Sequence, residues 1–140
     1  MRVMTKTMAH RFSCRVYYED TDLAGIVYYA NYLRFIERAR TEFVRILGVD
    51  QVALKAEQGL VFAVRRLEAD YIAPARFDDL LEVETSLSAL SPARITLQQD
   101  VMRAGETLFS ASVVLVCLSE NGRPQRIPAE FRTGLAQIRK

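Results

Sequence analysis

Three carboxylates and a glycine lie close together in one short segment of the chain. Glu19, Asp20 and Asp22 come shortly before Gly25 in the stretch 19–27. A carboxylate held beside a carbonyl carbon could attack it, or direct a water molecule onto it as a general base. Gly25 would let the backbone come close to a substrate. The segment is therefore a candidate site for chemistry at a carbonyl group.

The acidic segment leads directly into residues with helical spacing of apolar side chains. Unpaired backbone N–H groups at a helix start, together with the positive end of the helix dipole, form a site for a developing oxyanion. Acidic residues ahead of a helix are also common simply as caps and as complements to the dipole. The residues alone leave a catalytic and a structural interpretation open.

Two elements would hold the acidic segment in place. Apolar residues alternate with others from Phe12 to Tyr18, which is typical of a half-buried strand. From about Tyr28 to Leu47 apolar residues recur at three- and four-residue spacing, which predicts one long helix. Asn31 is a candidate N-cap of this helix, and Gly48 is well placed at its C-terminal cap.

Four strand-like runs follow the helix, after a segment around Gln51 to Gly59 that could hold a short helix. The runs are Leu60–Ile72, Leu81–Ala89, Ile95–Val101 and Leu108–Leu118. The last run ends apolar on both faces, which indicates a central strand, and Pro128 could open a short final helix. The order of elements predicts an α+β fold in which an antiparallel sheet of about five strands packs on one long helix.

Length and composition restrict the function classes. The 140 residues predict a single domain at 10–140 after a flexible N-terminal segment at 1–9. A net charge of +2 argues against a nucleic-acid partner. No apolar run approaches the roughly 18 residues of a membrane-spanning helix, and the first ten residues lack the apolar core of a signal peptide. We therefore expect a cytoplasmic protein with no integral membrane segment.

Cysteine and histidine are scarce. Cys14 and Cys117 form no metal-binding or redox motif and are interpreted as buried reduced thiols. The one histidine, His10, is expected in the loose leader. Mechanisms built on a Ser-His or Cys-His pair, and a histidine-rich zinc site, are therefore disfavoured.

The acidic segment and the helix after it resemble the signature of the hotdog-fold thioesterases. The nearest branch contains the 4-hydroxybenzoyl-CoA thioesterases and the acyl-CoA thioesterases associated with the Tol-Pal cell-envelope system. The similarity covers about Phe12 to Phe131. The matching residues are 18–22, 25–28, 31–33, 35–42, 71–75 and 78–82.

The resemblance implies that the protein hydrolyses acyl-CoA, or acyl groups on acyl carrier protein, without a metal or redox cofactor. It places the catalytic aspartate at Asp22, as nucleophile or general base, and the oxyanion donor at the backbone N–H of Tyr29. Asp20 and Glu19 would be structural or would tune Asp22. Tol-Pal-associated members usually carry histidine at the position of Tyr29, and the 4-hydroxybenzoyl enzymes more often carry tyrosine, so the subgroup stays open.

The resemblance also implies a homo-oligomer, because family members form dimers, often tetramers, with the active site between subunits. The expected substrate contacts surround Asp22. The candidate substrate-binding residues are Gly25, Val27, Tyr28, Tyr32 and Arg94, with Arg65, Arg66 and Tyr17 as further possibilities.

Three other interpretations are weighed against Asp22 hydrolysis. Another hotdog branch uses a helix glutamate, which would point to Glu37 or Glu42. A non-catalytic acyl-CoA-binding or envelope interaction module is disfavoured because Asp22 is present. A dehydratase or isomerase is disfavoured because such proton transfer at carbon commonly enlists histidine.

Overall fold

The structure is a computed structural model that describes residues 9–138. The predicted flexible segment 1–9 lies outside the described residues except for Ala9, which begins the first strand. The elements in chain order are β1 (Ala9–Arg15), a 3-10 turn (Tyr18–Asp20), α1 (Asn31–Ile46), α2 (Gln51–Gln58), β2 (Val61–Tyr71), β3 (Leu80–Leu90), β4 (Arg94–Arg103), β5 (Glu106–Leu118), β6 (Pro124–Gln125) and α3 (Ala129–Ile138).

The five long strands form one antiparallel sheet in the order β1-β3-β4-β5-β2. The two-residue strand β6 extends it beside the end of β5. Register shifts in three of the strand pairs mark bulges, which bend strands and increase their twist. The predicted α+β architecture, with a curved antiparallel sheet around a long helix, is confirmed.

Helix α1 lies against one face of this sheet because its apolar residues form a single stripe. Its buried side chains are Tyr32, Phe35, Ile36, Ala39, Phe43 and Val44. They pack on alternate residues of the strands, such as Leu81 and Val83 in β3 and Leu97 and Val101 in β4, which are almost wholly buried. The helix therefore forms the centre of the hydrophobic core.

The start of α1 differs from the sequence prediction. The helix begins at Asn31, later than the predicted Tyr28, and Ala30 occupies the N-cap position. The Asn31 side chain does not cap the helix, because its amide donates a hydrogen bond to Asp20 Oδ1 at 2.8 Å. The predicted cap is therefore wrong, and Asn31 instead ties the helix start to the preceding loop.

His10 also lies elsewhere than predicted. It belongs to β1, and its ring makes an edge contact with Phe43 at a centroid distance of 6.1 Å. The expectation that it lies in a loose leader is wrong. His10 is five residue steps from Arg15, which ends β1 just before the acidic segment. At about 3.4 Å per step the two residues are about 17 Å apart along the strand.

The two edges of the sheet are unlike each other. Arg11 on β1 forms ion pairs with Glu82 and Glu84 on the neighbouring strand β3. On β2, by contrast, residues 64–68 are exposed on both faces of the strand.

Among residues 9–138, no helix combines the length and the apolar character needed to cross a bilayer.

Candidate active site

A small hairpin forms the tip of the loop between β1 and α1. Asp22 N–H donates to the Ile26 carbonyl at 2.9 Å, and Gly25 N–H donates to the Asp22 carbonyl at 2.9 Å. Gly25 has φ +82°, a conformation that side chains with a Cβ atom rarely adopt. This turn sets the direction in which Asp22 projects.

The Asp22 carboxylate is exposed and lightly held. Within residues 9–138 its one hydrogen-bond partner is Ala24 N–H, at 2.9 Å from Oδ1. The remaining acceptor positions of the carboxylate are open to water or to a ligand. Such a carboxylate has the freedom that a nucleophile or general base requires.

Asp20, two residues earlier, is buried and fully engaged. Its side chain is 7% exposed. One oxygen accepts Tyr17 N–H at 2.7 Å and the other accepts the Asn31 side-chain amide at 2.8 Å. Its carbonyl oxygen accepts Tyr28 N–H at 2.9 Å. Asp20 therefore joins the end of β1 to the start of α1, which agrees with its predicted structural role.

The backbone between this anchor and the helix leaves a donor available. Tyr28 N–H bonds to Asp20 and Asn31 N–H bonds to the Tyr28 carbonyl. The N–H of Tyr29, between them, has no acceptor within the described part of the chain. It lies one residue before the N-cap of α1, where the helix dipole favours negative charge.

Asp22 and Tyr29 line one pocket of about 400 Å³. The other lining residues are Ile26, Val27, Tyr28, Tyr32, Tyr71, Ile72, Ala73 and Pro74. This volume lies within the range of roughly 300–1,000 Å³ that is typical of small-molecule sites, and such sites combine apolar walls with a few polar groups.

Tyrosines form much of the pocket wall. The rings of Tyr28 and Tyr29 lie 5.0 Å apart, and Tyr71 packs edge-on against Tyr29 and Tyr32 at 6.3 Å and 5.5 Å. Tyr32 stacks on Phe109 at 4.9 Å. The wall suits an apolar or aromatic group, because aromatic rings add specific edge and stacking contacts to ordinary burial.

Two phenols of this wall hold the backbone. Tyr71 Oη donates to the Tyr29 carbonyl at 2.8 Å, and Tyr32 Oη accepts Ala75 N–H at 3.0 Å. Burial raises the pKa of both phenols above the ordinary tyrosine value. Both hydroxyls therefore keep their protons at neutral pH, and neither is suited to act as a base.

The structure brings together most of the predicted site residues. Val27, Tyr28 and Tyr32 share the pocket with Asp22 and Tyr29, although Val27 and Tyr32 are also core residues, each 3% exposed. Gly25 lies in the adjacent turn and does not line the pocket.

Arg94 lies far from the pocket within one chain. It begins β4 opposite Val116, whereas Val101 lies opposite Phe109 at the pocket end of the sheet. The separation is about 24 Å along the strand at about 3.4 Å per residue. Arg65 and Arg66 are exposed on β2. Within one chain Arg94 therefore does not line the pocket around Asp22.

The helix glutamates lie outside the pocket. Glu37 accepts a hydrogen bond from Thr41 at 2.8 Å, and Glu42 pairs with Arg45 at 3.2 Å. Neither lines the pocket around Asp22. The geometry of one chain therefore favours the loop aspartate over a helix glutamate.

Four consecutive pocket residues were missed as site residues. Tyr71 ends β2, and the segment 72–74 follows it. These residues are about 40 positions after the helix start in the sequence, but they line the same pocket. The Ala75 carbonyl accepts Val27 N–H at 2.8 Å, which joins this segment to the loop. The match of residues 71–75 to the family pattern is the signal in the sequence that could have identified them.

Comparisons with known proteins identify the family of the chain. The model of the thioesterase superfamily matches residues 24–110. The chain is 43% identical over 129 residues to an acyl-CoA thioesterase, YbgC, of Haemophilus influenzae, covering 91% of this chain and 95% of that one. It is 41% identical over 132 residues to an acyl-CoA thioester hydrolase, YbgC, of Escherichia coli O6:H1, covering 90% and 98%.

A solved structure supports the same relationship. A probable thioesterase from Bartonella henselae superposes with a TM-score of 0.82 at 38% identity, covering 86% of this chain and 100% of that one. The family resemblance and the hotdog fold predicted from the sequence are thereby confirmed. The chain belongs to the thioesterase superfamily and has the hotdog fold.

Proposed function

We propose that this protein hydrolyses acyl-CoA thioesters to a carboxylic acid and free coenzyme A. The observation that carries the proposal is the shared pocket, in which the exposed carboxylate of Asp22 and the unpaired N–H of Tyr29 meet apolar walls. The related proteins named as acyl-CoA thioesterases support this choice of substrate class. Acyl groups on acyl carrier protein are the second substrate to test.

In the general-base route, Asp22 takes a proton from water as the water oxygen adds to the thioester carbonyl carbon. The carbonyl oxygen becomes an oxyanion and accepts the Tyr29 N–H. The intermediate then expels the coenzyme A thiolate, which takes the proton from Asp22. The same pocket serves both the addition and the departure of the thiol.

In the nucleophilic route, Asp22 itself adds to the carbonyl carbon and the coenzyme A thiolate leaves. The product is a mixed anhydride between Asp22 and the acyl group, which water then cleaves. Heavy oxygen found in Asp22 after a single turnover in water enriched in oxygen-18 would establish the nucleophilic route, because water would then have attacked the aspartyl carbonyl of the anhydride. An unlabelled Asp22 fits the general-base route and also attack of water at the acyl carbonyl of the anhydride.

We also propose a homo-oligomer, a dimer or tetramer, built on the β2 edge. This strand has 11 residues, and one of its edges carries no strand within residues 9–138. Val64 and Tyr71 on it are 48% and 49% exposed. An uncovered edge of this length is a template for pairing with another copy. Pairing there would place the pocket residue Tyr71 beside the interface.

Release of free thiol from short, long and aromatic acyl-CoAs tests the reaction. Asp22→Asn keeps the shape of the side chain and removes the base, so we expect at least a hundredfold loss in kcat, within the range of about 10²–10⁴ for general-base catalysis. Asp78→Asn is the matched control, because Asp78 is an exposed loop carboxylate outside the pocket.

Three results would change this assignment. Equal rates for Asp22→Asn and wild type would remove Asp22 from catalysis and return attention to Glu37 and Glu42. Tight binding of acyl-CoA without thiol release would favour the non-catalytic module. A monomer in light scattering would contradict the oligomer and leave the reaction to be judged separately. The cytoplasmic location stays a prediction.

A further inference from the structure

A second cavity lies at the other end of α1. Its volume is about 180 Å³, and it shares no lining residue with the pocket around Asp22. It lies between α1, the strands β2, β4 and β5, the start of α2 and helix α3. Its apolar walls include Phe43, Val44, Ile95, Leu97, Leu115 and Phe131.

One cation lies at the wall of this cavity without a direct ion-pair partner among the described residues. Arg40 is half-buried and donates from Nη1 to Gln99 Oε1 at 2.9 Å. It forms no ion pair with any carboxylate of residues 9–138. Burial lowers the pKa of its guanidinium, although nearby Glu37 opposes that shift. A guanidinium has five N–H donors, so most of its hydrogen-bonding capacity remains available.

The position of Arg40 is fixed by a buried amide. Gln99 is fully buried, and its Nε2 donates to the Ile36 carbonyl and to Thr85 Oγ1, both at 2.9 Å. The amide therefore has one orientation, with Oε1 directed to Arg40. The guanidinium is held at the cavity wall by the core and is not a freely moving surface group.

We propose that this cavity binds an aliphatic carboxylate, with its chain among the apolar walls and its carboxylate on Arg40. A partly buried charge is costly unless it is paired, and an anionic ligand would supply the missing partner. A carboxylate can accept two parallel hydrogen bonds from one guanidinium. The volume is below the range of roughly 300–1,000 Å³ typical of drug-sized ligands, so the bound carboxylate must be small.

Glu37 makes the proposal sharper because it acts against an anion. It lines the same cavity, and its Oε2 accepts a hydrogen bond from Thr41 at 2.8 Å. Its negative charge near the cavity would weaken carboxylate binding. The two charges therefore predict opposite effects: loss of Arg40 weakens binding, and Glu37→Gln strengthens it.

The site is independent of the proposed hydrolysis, since no residue of the pocket around Asp22 takes part. Only a physiological role would rest on the proposed function. The acid released from an aliphatic acyl-CoA belongs to the class of ligand proposed here, so occupancy of this cavity would then report product concentration.

Calorimetric titration of octanoate into the full-length protein tests the site. We expect Arg40→Met to weaken octanoate binding about tenfold or more, because hydrogen bonds to a charged group are lost. Glu37→Gln should strengthen binding a few-fold. Arg45→Met is the matched control, because Arg45 is an exposed arginine of the same helix that does not line the cavity. Octanol, which has the same chain without the charge, should bind Arg40→Met and wild type alike.

Equal octanoate affinity in Arg40→Met and Arg45→Met would overturn the proposal. If Arg40→Met does not fold, Glu37→Gln and the cavity-filling variant Leu115→Phe decide the question. Octanoate affinity unchanged in both would overturn it, whereas stronger binding in the first and weaker binding in the second would support it. None of these results depends on thiol release, so failure of the hydrolase proposal would be seen separately.

Discussion

The base and the tip of the loop between β1 and α1 are built in opposite ways. At the base, the Asp20 side chain is 7% exposed and both of its oxygens accept hydrogen bonds. At the tip, the Asp22 carboxylate is exposed and accepts one hydrogen bond from Ala24. The neighbouring Leu23 is fully exposed to solvent.

This difference assigns stability and chemistry to different carboxylates only two residues apart. Asp20 fixes the distance between the strand end and the helix start, which carries the Tyr29 N–H. Asp22 is then free to face the pocket without itself holding the fold. A rigid base with an open tip is what a catalytic carboxylate requires, because its acceptor oxygens must remain available to water or substrate.

The largest expected effect on stability is that of Asp20→Ala. The change leaves the Tyr17 N–H and the Asn31 amide without their charged acceptor, and unpaired buried donors cost about 1–3 kcal/mol each. We expect a loss of about 2–4 kcal/mol in the free energy of unfolding, since the two costs are not fully additive. Urea denaturation followed by circular dichroism measures it.

Asp22→Asn supplies the contrast to Asp20→Ala. Because Asp22 is exposed, its stability should stay within about 0.5 kcal/mol of the wild type while its activity falls. Equal destabilisation by the two variants would mean that the base and tip of the loop are not distinct. A stable Asp20→Ala protein with full activity would contradict the role given to the base.

A smaller effect is expected from Gly25→Ala at the tip. A Cβ atom there would meet no atom within 4 Å, so the cost comes from the backbone at φ +82°. That cost is about 1–2 kcal/mol for a left-handed conformation. We expect thermal unfolding to report a loss of this size, and kcat to fall because the turn that directs Asp22 relaxes.

Gly134→Ala is the control for Gly25→Ala. Gly134 lies in α3, and a Cβ atom there would also meet nothing within 4 Å. The same substitution should raise stability by about 0.5–1 kcal/mol, because alanine is favoured in a helix interior. If Gly25→Ala proved as stable as Gly134→Ala, the turn would not depend on its positive φ.

The sequence predicted the elements that have strong hydrophobic periodicity. The stripe of α1 and the alternation in β3 and β4 each match one structural period, and the buried residues of these elements follow it. The run that is apolar on both faces became β5, which lies between β4 and β2. Asn31 does not follow its predicted role because capping rules consider only neighbouring residues, whereas the buried carboxylate of Asp20 competes for the same side-chain amide. His10 lies in β1 because this strand begins at Ala9, before the alternation of apolar residues that starts at Phe12.

The pocket was predicted only on the side contributed by the loop. Tyr71 lies at the end of β2 and contacts the loop because of how the strands are arranged in the sheet. A pattern within one segment of the sequence does not contain that information. Arg94, a predicted substrate-binding residue, begins β4, and antiparallel pairing places it at the opposite end of the sheet from the pocket. The position of Tyr71 in the pocket and the distance of Arg94 from it therefore both follow from long-range strand pairing.

The smallest effect, and the most specific, is expected from Tyr71→Phe. The hydroxyl of Tyr71 donates to the Tyr29 carbonyl at 2.8 Å, on the peptide that follows the proposed oxyanion donor. A net hydrogen bond contributes about 0.5–1.5 kcal/mol, and the half-exposed position of Tyr71 favours the low end. We therefore expect the free energy of unfolding to change by less than about 1 kcal/mol. We expect kcat to fall only a few-fold, because the Tyr29 N–H is still present and loses only a hydrogen bond that helps to position it.

The pH dependence distinguishes positioning from catalysis at Tyr71. Burial, with the neighbouring Tyr29 and Tyr32, raises the pKa of this phenol, so it stays protonated throughout the neutral range. Removing the hydroxyl should lower kcat without moving the pH profile, and KM should change little. A shifted pH profile would make Tyr71 an acid or base of the reaction, and unchanged kcat would mean that Asp20 alone holds the helix start in register with Asp22.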